Sequence, residues 1–247
     1  MAKTVIAKLG GSVITDKTKP FSYRADVVSA LAEEVASSGE SVVIVHGGGS
    51  YGHTVARQHG LSSNSSNPTA AGVPQTRAAM FELNSLVCKT MVESKLSPYT
   101  FAPFDAFADS GNSSAIWLRS LMKAGVTPVT FGDVVFHKGG FKVLSGDYIM
   151  LELAKLIKPD RCVFAMDVDG VYEPDARVIV PELTVTKVRK MKVPRGDDAT
   201  GGMGLKLEVA AKVASLGCRV SFVSGYRRNE FSKALRGLDF YGTTVRA

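Results

Sequence analysis

Residues 41–54 read Ser-Val-Val-Ile-Val-His-Gly-Gly-Gly-Ser-Tyr-Gly-His-Thr. Ser41 to His46 is mostly β-branched with no polar alternation, the pattern of a strand buried on both faces. The glycines end it, and a short helical stretch follows from Tyr51. A strand feeding a glycine run feeding a helix opens a βαβ unit and offers backbone N–H groups and a positive dipole end to an anion. Gly47, Gly49 and Gly52 fit the dinucleotide fingerprint Gly-x-Gly-x-x-Gly. That fingerprint also needs an acid about 20 residues on, and Asn67 to Gln75 holds none. The Walker pattern fails at one residue, because His53 stands where its lysine belongs. Two readings remain, a plain tight turn or a phosphate cradle of another kind. Three successive glycines carry an entropic cost that a plain turn does not require.

The same alternation runs along the whole chain. Thr4 to Leu9 reads as a short buried strand ending in a glycine pair. Val27, Val28, Leu31 and Val35 recur at helical spacing within Tyr23 to Ser38, and Gly39 stops that helix. Leu61 to Gly72 is a polar loop. Gln75 to Lys95 reads as a longer helix with Met80, Leu83, Val87 and Met91 along one face, either core or the wall of an apolar pocket. Gly125 to Phe131 is a strand, Val134 to Leu144 a hairpin turned at Gly139-Gly140, and Arg161 to Met166 a strand again. Leu205, Val209, Val213 and Leu216 mark a helix closed by Gly217 before the strand Arg219 to Val223. Strands separated by helices of this length predict a three-layer α/β/α sandwich with a mostly parallel open sheet. No linker or repeat divides the 247 residues, so a single domain is expected.

Composition narrows the class. Apolar residues make up 45% and charged residues 21%, which excludes wholesale disorder. Cys88, Cys162 and Cys218 are odd in number and far apart, so a disulfide framework is not expected and a reducing cytoplasm is. No run approaches the ~18 apolar residues of a membrane span, and Lys8 and a glycine pair interrupt any signal-peptide core near Met1. Lysine and arginine total 30 against 23 acids, a net charge of +7. Lys187, Arg189, Lys190, Lys192 and Arg195 carry part of that excess without interleaved aromatics, which argues against nucleic acid. A solvated surface or a field attracting a polyphosphate remains.

Two further glycine turns stand beside charged residues. Lys8-Leu9-Gly10-Gly11-Ser12 closes the first strand, where a lysine and several N–H donors can meet one phosphate, although a lone strand lysine more often snorkels. Lys17 or Lys19 in the following loop could reach back over it. Asp198 through Thr200-Gly201-Gly202-Met203-Gly204-Leu205-Lys206 leads into a helix with a lysine in its first turn. Duplicated cradles suit two anionic ligands, a donor and an acceptor. His46, His53, His59 and His137 show no metal spacing. His46 reads as a core histidine, whereas His53 caps the glycine turn and faces whatever binds there.

The order of these segments, with Asp167-Val168-Asp169-Gly170-Val171-Tyr172 between them, resembles the amino acid kinase superfamily over essentially the whole chain. His46 to His53, Gly132-Asp133-Val134 and Ser145-Gly146-Asp147 resemble its isopentenyl phosphate kinase branch. Ser50-Tyr51-Gly52-His53 is also shared with fosfomycin kinases. The resemblance implies ATP with magnesium, isopentenyl phosphate as acceptor, and a homodimer. It implies that Lys8, Gly10, Gly11 and Ser12 line the phosphates, with Lys17 as a transition-state lysine and Asp147 orienting the lysines. Gly48, Gly52, His53 and Gly146 would hold the acceptor phosphate, with Gly47 and Gly49 shaping the turn and Gly49 also facing ATP. Asp167, Tyr172, Glu173, Pro174, Asp175, Arg177, Gly202 and Lys206 would bind nucleotide, Lys206 also serving catalysis. No residue is assigned to the metal itself. The acceptor part would span about 1–150 and the nucleotide part about 151–247. Ala199 stands where the family more often has valine. A kinase of another small phosphate or phosphonate, and a non-catalytic nucleotide-binding module, are the competing readings.

Overall fold

The computed structural model describes residues 2–61, 71–103, 112–137, 140–173, 178–191 and 202–247. Its strands are β1 (Thr4–Leu9), β2 (Ser41–His46), β3 (Pro98–Thr100), β4 (Thr127–Phe131), β5 (Asp133–His137), β6 (Gly140–Leu144), β7 (Arg161–Met166), β8 (Glu182–Thr184), β9 (Arg219–Ser224) and β10 (Gly242–Arg246). Eight of them form one sheet in the order β3-β4-β2-β1-β7-β9-β10-β8, and β5 pairs with β6 as a separate antiparallel hairpin. From β3 to β9 all neighbours are parallel, and β10 runs antiparallel to β9. The chain builds outward from β1 through β2, then crosses back to β7 on its other side. That reversal places a crevice beyond the carboxyl end of β1, where ligands bind in open parallel sheets.

Helices cover both faces, as a sheet buried on both sides requires. On one face lie α1 (Gly11–Ile14), α2 (Ala25–Ser38), α3 (Gly49–Gln58), α4 (Gly72–Glu93) and, near the chain's end, Glu230–Arg236. They pack against Val5, Ala7, Leu9, Ile44 and Val163. On the other lie α5 (Asn112–Lys123), α6 (Gly146–Ile157), α7 (Val185–Lys190) and α8 (Gly202–Ala214), which meet Ile6, Val43, Val45, Phe164 and Phe222. Glu230–Arg236 completes the order as α9. Alternate residues of β1 thus go to opposite layers. Lys8 follows the parity of Ile6 and points toward α6 and α8.

The expected sandwich is present, with local differences. β3 and β8, at the sheet's edges, have three residues each and are too brief to stand out as apolar runs, and β10 beside β8 reads Gly-Thr-Thr-Val-Arg, mostly polar. α2 begins at Ala25, because the Tyr23 hydroxyl donates to Thr90 Oγ1 at 2.7 Å and its backbone bridges to Thr15 instead. α3 starts at Gly49, inside the glycine run. α8 ends at Ala214, leaving Leu216 52% exposed beyond the core. Residues 62–70 of the polar loop, Gly139 of the hairpin turn, and Lys192 and Arg195 of the basic stretch lie outside the described residues.

The face of α4 divides. Leu83, Val87 and Met91 are fully buried in the layer of Val5 and Leu9, so they are core and not pocket wall. Met80 borders the cleft. Truncating Leu83 to Ala should lower unfolding free energy by about 2–5 kcal/mol in a denaturant titration. A loss well below that range would remove Leu83 from the core.

Candidate active site

β1 and β2 end in register, Leu9 opposite His46, so the two glycine turns leave the sheet side by side. Gly47 N–H donates to the Leu9 carbonyl at 3.0 Å. The turns touch backbone to backbone: a Cβ on Gly11 would lie 2.4 Å from the Gly49 nitrogen. Gly49 has φ +48°, and a Cβ there would sit 2.0 Å from Thr15 Oγ1. Close approach and left-handed backbone together explain glycine at these positions. The Thr15 hydroxyl latches the two turns, donating to the Gly11 carbonyl at 2.7 Å and accepting from the Ser50 N–H at 2.9 Å.

Beside the turns sits a buried charge cluster. Lys8 Nζ lies 2.5 Å from Asp147 Oδ1, and Lys206 Nζ lies 3.5 Å from Asp147 Oδ2. Asp147 is in the first turn of α6, whose start is capped where the Tyr148 N–H donates to Ser145 Oγ at 3.3 Å. Gly146 leaves room for the lysine stem, since a Cβ there would come within 3.2 Å of Lys8 Cε. Burial pushes the Lys8 ammonium down to about 8; Asp147 opposes that shift, and Lys206 adds to it. For Asp147 burial acts upward, yet Lys8 and Lys206 outweigh it and hold the carboxyl below its ordinary value. At neutral pH the cluster is two cations around one anion.

A single cleft gathers these parts. Lys8, Gly10, Gly11, Ser12 and Lys17 line it from the β1 end, and Gly47, Gly48, Gly49, Gly52 and His53 from the β2 end. Gly146 and Asp147 close it from α6, with Asp167 after β7 and Lys206 on α8. Lys17 borders the cleft and Lys19 does not. Gly202 opens α8 one turn before Lys206, whose ammonium donates to the Gly202 carbonyl at 3.4 Å. Tyr172 and Glu173 lie apart from the lining, Tyr172 bridged to Ile179 and the Glu173 N–H bonded to the Val178 carbonyl at 3.0 Å. Pro174, Asp175 and Arg177, and the stretch from Asp198 to Gly201, lie outside the described residues.

The cleft also contains residues the sequence reading left unassigned. Asp133 is buried at its edge, where it accepts from the Val134 N–H at 2.7 Å and pairs with Arg77 at 3.1 Å. Burial, only partly offset by the Val134 N–H and by Arg77, raises its carboxyl. Gly132-Asp133-Val134 was visible as a motif, but Arg77 gave no signal because it sits far off in sequence on α4. Ala56, Thr76, Met80, Val134 and Val143 form a mostly apolar wall reached from α3, α4 and the β5–β6 hairpin. His46 is fully buried behind the turn rather than in the cleft, as a core histidine would be.

An α/β/α sandwich with this cleft at the carboxyl ends of its strands is the build of a phosphotransferase of the kinase type. The chain belongs to the amino acid kinase family, which it matches over residues 3–224. Its relatives sharpen the placement. It is 36% identical to an isopentenyl phosphate kinase of Haloferax volcanii, over 86% of this chain and 88% of that one. Identity to the isopentenyl phosphate kinase of Thermoplasma acidophilum is 34%, over 85% and 87% of the two chains. The solved product complex of a T. acidophilum isopentenyl phosphate kinase superposes with a TM-score of 0.79 at 30% identity, covering 98% of this chain and all of that one.

The charge cluster sets a pH dependence. A Lys8 that counters phosphate charge has to be protonated, so on that role kcat/KM should fall as pH rises through about 8. Removing the Asp147 charge in Asp147→Asn takes away what opposes burial, so that alkaline limb should move to lower pH. Bound phosphates favour the ammonium, so the limb in kcat should lie at higher pH than the limb in kcat/KM. Coinciding limbs, or a limb unmoved by Asp147→Asn, would dissociate Lys8 from the profile.

Proposed function

We propose that this chain transfers the γ-phosphoryl group of ATP to isopentenyl phosphate, giving isopentenyl diphosphate and ADP. The observation that carries this reading is the backbone contact between the two glycine turns beside Lys8, Asp147 and Lys206. That contact sets the two glycine turns side by side on one cleft, where a phosphate on each would be a neighbour of the other. The kinship with isopentenyl phosphate kinases supplies the acceptor.

In this reading the Gly47–Gly52 turn, His53 and Gly146 seat the acceptor phosphate. Gly10, Gly11, Ser12 and Gly49 face the phosphates of ATP. Asp167, Tyr172, Glu173, Pro174, Asp175, Arg177 and Gly202 serve the nucleotide. The acceptor part is then about 1–150 and the nucleotide part about 151–247. A phosphate monoester has its second pKa near 6, so the acceptor oxygen is already a nucleophile at pH 7. It forms a bond to the γ-phosphorus while the bond from that phosphorus to the β,γ-bridging oxygen breaks, and ADP leaves. No proton has to be removed from the acceptor. Lys8, Lys17 and Lys206 instead counter the repulsion between the anions and the charge on the passing phosphoryl.

Magnesium belongs to this reading as a companion of ATP. Among the described residues no group of three or more His, Cys, Asp or Glu is placed to cage a metal, and the Asp147 oxygens are taken by lysines. That donor set fits an ion held mainly by nucleotide phosphates, with exposed Asp167 the cleft carboxylate able to reach it. Bound there, it would neutralise charge on the β- and γ-oxygens. No helix among the described residues is long and apolar enough to cross a membrane. A cytoplasmic homodimer is the setting we infer from the reduced cysteines and the family.

An assay of ADP release with isopentenyl phosphate, with fosfomycin and with no acceptor tests the proposal, and turnover should require isopentenyl phosphate. Lys8→Ala should lower kcat by ~10²-fold or more, the scale of one lost preorganised donor. His53→Ala should raise KM for the acceptor with little change for ATP, and His53→Gln should keep part of the binding; a rise confined to ATP would place the acceptor elsewhere. Met80→Ala, which opens the apolar wall, should improve turnover of longer prenyl phosphates relative to isopentenyl phosphate. Equal effects on every chain length would take Met80 out of the tail site.

A further inference from the structure

His46 ends β2 directly behind the glycine turn, and its surroundings assign it more than packing. The ring is fully buried and stacks on Phe131, with centroids 5.4 Å apart and planes at 22°. Its Nδ1 lies 3.1 Å from the Gly47 carbonyl oxygen. Its Nε2 lies 3.3 Å from Asn84 Oδ1 on α4, and Asn84 Nδ2 is 3.0 Å from Thr100 Oγ1. Burial holds the imidazole at about 4, so the ring is neutral and carries one N–H. The Gly47 carbonyl can only accept, which fixes that hydrogen on Nδ1. Nε2 must then accept, which exchanges the two ends of the Asn84 amide by a half-turn, its NH2 toward His46 and its oxygen toward the Thr100 hydroxyl. Thr100 donates to that oxygen and can accept from Cys88 Sγ, 3.1 Å away. His46 and Asn84 are buried while Thr100 is exposed, so the direction is set at the inner end, by the Gly47 carbonyl.

The direction matters because a trans peptide points its N–H opposite its C=O. We propose that His46 is a positioning residue for the acceptor phosphate: by donating from Nδ1 to the Gly47 carbonyl, it turns the Gly47–Gly48 peptide so that the Gly48 N–H faces the cleft. Asn84 locks the tautomer. This rests on the reading of the Gly47–Gly52 turn as the acceptor site. It explains a polar residue at the end of an otherwise apolar buried strand, where valine or isoleucine would pack without needing partners.

Imidazole 15N NMR on the unmodified protein and steady-state kinetics on variants test this together. At pH 7 the His46 ring should be protonated at Nδ1 and bare at Nε2; an Nε2-protonated or cationic ring would overturn the proposal. His46→Phe keeps the stacking and loses the donor. It should raise KM for isopentenyl phosphate by about tenfold or more while leaving KM for ATP near its original value. His46→Asn, whose amide can reach the Nδ1 position, should recover most of the loss. Asn84→Leu should shift acceptor KM in the same direction as His46→Phe, and it carries the kinetic test if His46→Phe does not fold. Neither KM moving in a folded variant would refute the positioning role and leave the acceptor reading standing. A rise in KM for ATP alone, with the Nδ1 tautomer observed, would instead refute the acceptor reading of the turn.

Discussion

Asp147 is the residue on which the site depends. A carboxylate 1% exposed is costly to bury unless it is paired and hydrogen-bonded. Here each oxygen faces a lysine, one from β1 and one from α8. The arrangement also works in reverse. Lys8 is itself 5% exposed, and burial without a partner would drive it toward the neutral amine. The carboxylate keeps it charged, and Lys206 keeps the carboxylate ionised. One fixed anion therefore holds two cations in place, and the surplus positive charge faces the cleft.

Holding that cluster requires most of the sandwich. Lys8 reaches it because strand parity sends it to the side of α6 and α8. Asp147 reaches it because Ser145 starts α6 at that point. Lys206 reaches it because α8 packs beside α6 on the same face of the sheet. The opposite layer fixes the glycine turns, since α3 and α4 anchor the segment that follows β2. Thr15 then ties the turns together by hydrogen bonds to both. The cleft lies where the two layers and the end of the sheet meet, so neither layer builds it alone.

The polar groups of the cleft divide by what they can offer a phosphate. Backbone N–H groups have direction without titrating, lysines have charge, and His53 borders the cleft where a Walker sequence would have a lysine. Asp133 works against anions unless its charge is offset, and Arg77 sits beside it to do so. Behind the turn, the chain from Cys88 through Thr100 and Asn84 to His46 meets the Gly47 carbonyl through the imidazole, and the His46 carbonyl accepts from the Gly132 N–H at the cleft's edge at 3.2 Å. His46 and Asn84 are deep enough that each needs its partner.

The sequence by itself determined the elements whose signals are local. The β-branched runs of β1, β2 and β7, the glycine turns after the first two, the helical spacing of Val28, Leu31 and Val35, and the missing Walker lysine are all read within a window of a few residues. Together with their order, these pointed to the sandwich and to the family resemblance, and only that resemblance joined Asp147 to the lysines of the glycine turns. Tertiary structure decided what depends on distant parts of the chain. Lys8 and Asp147 are 139 positions apart, and nothing near either one specifies the distance between them. The same holds for Arg77 beside Asp133 and for Asn84 behind His46. Met80 and Leu83 share a helix face in sequence, yet one borders the cleft and the other is core, because α4 crosses the boundary between them. Periodicity fixes which side of a helix turns inward; only packing against the other elements fixes what it finds there.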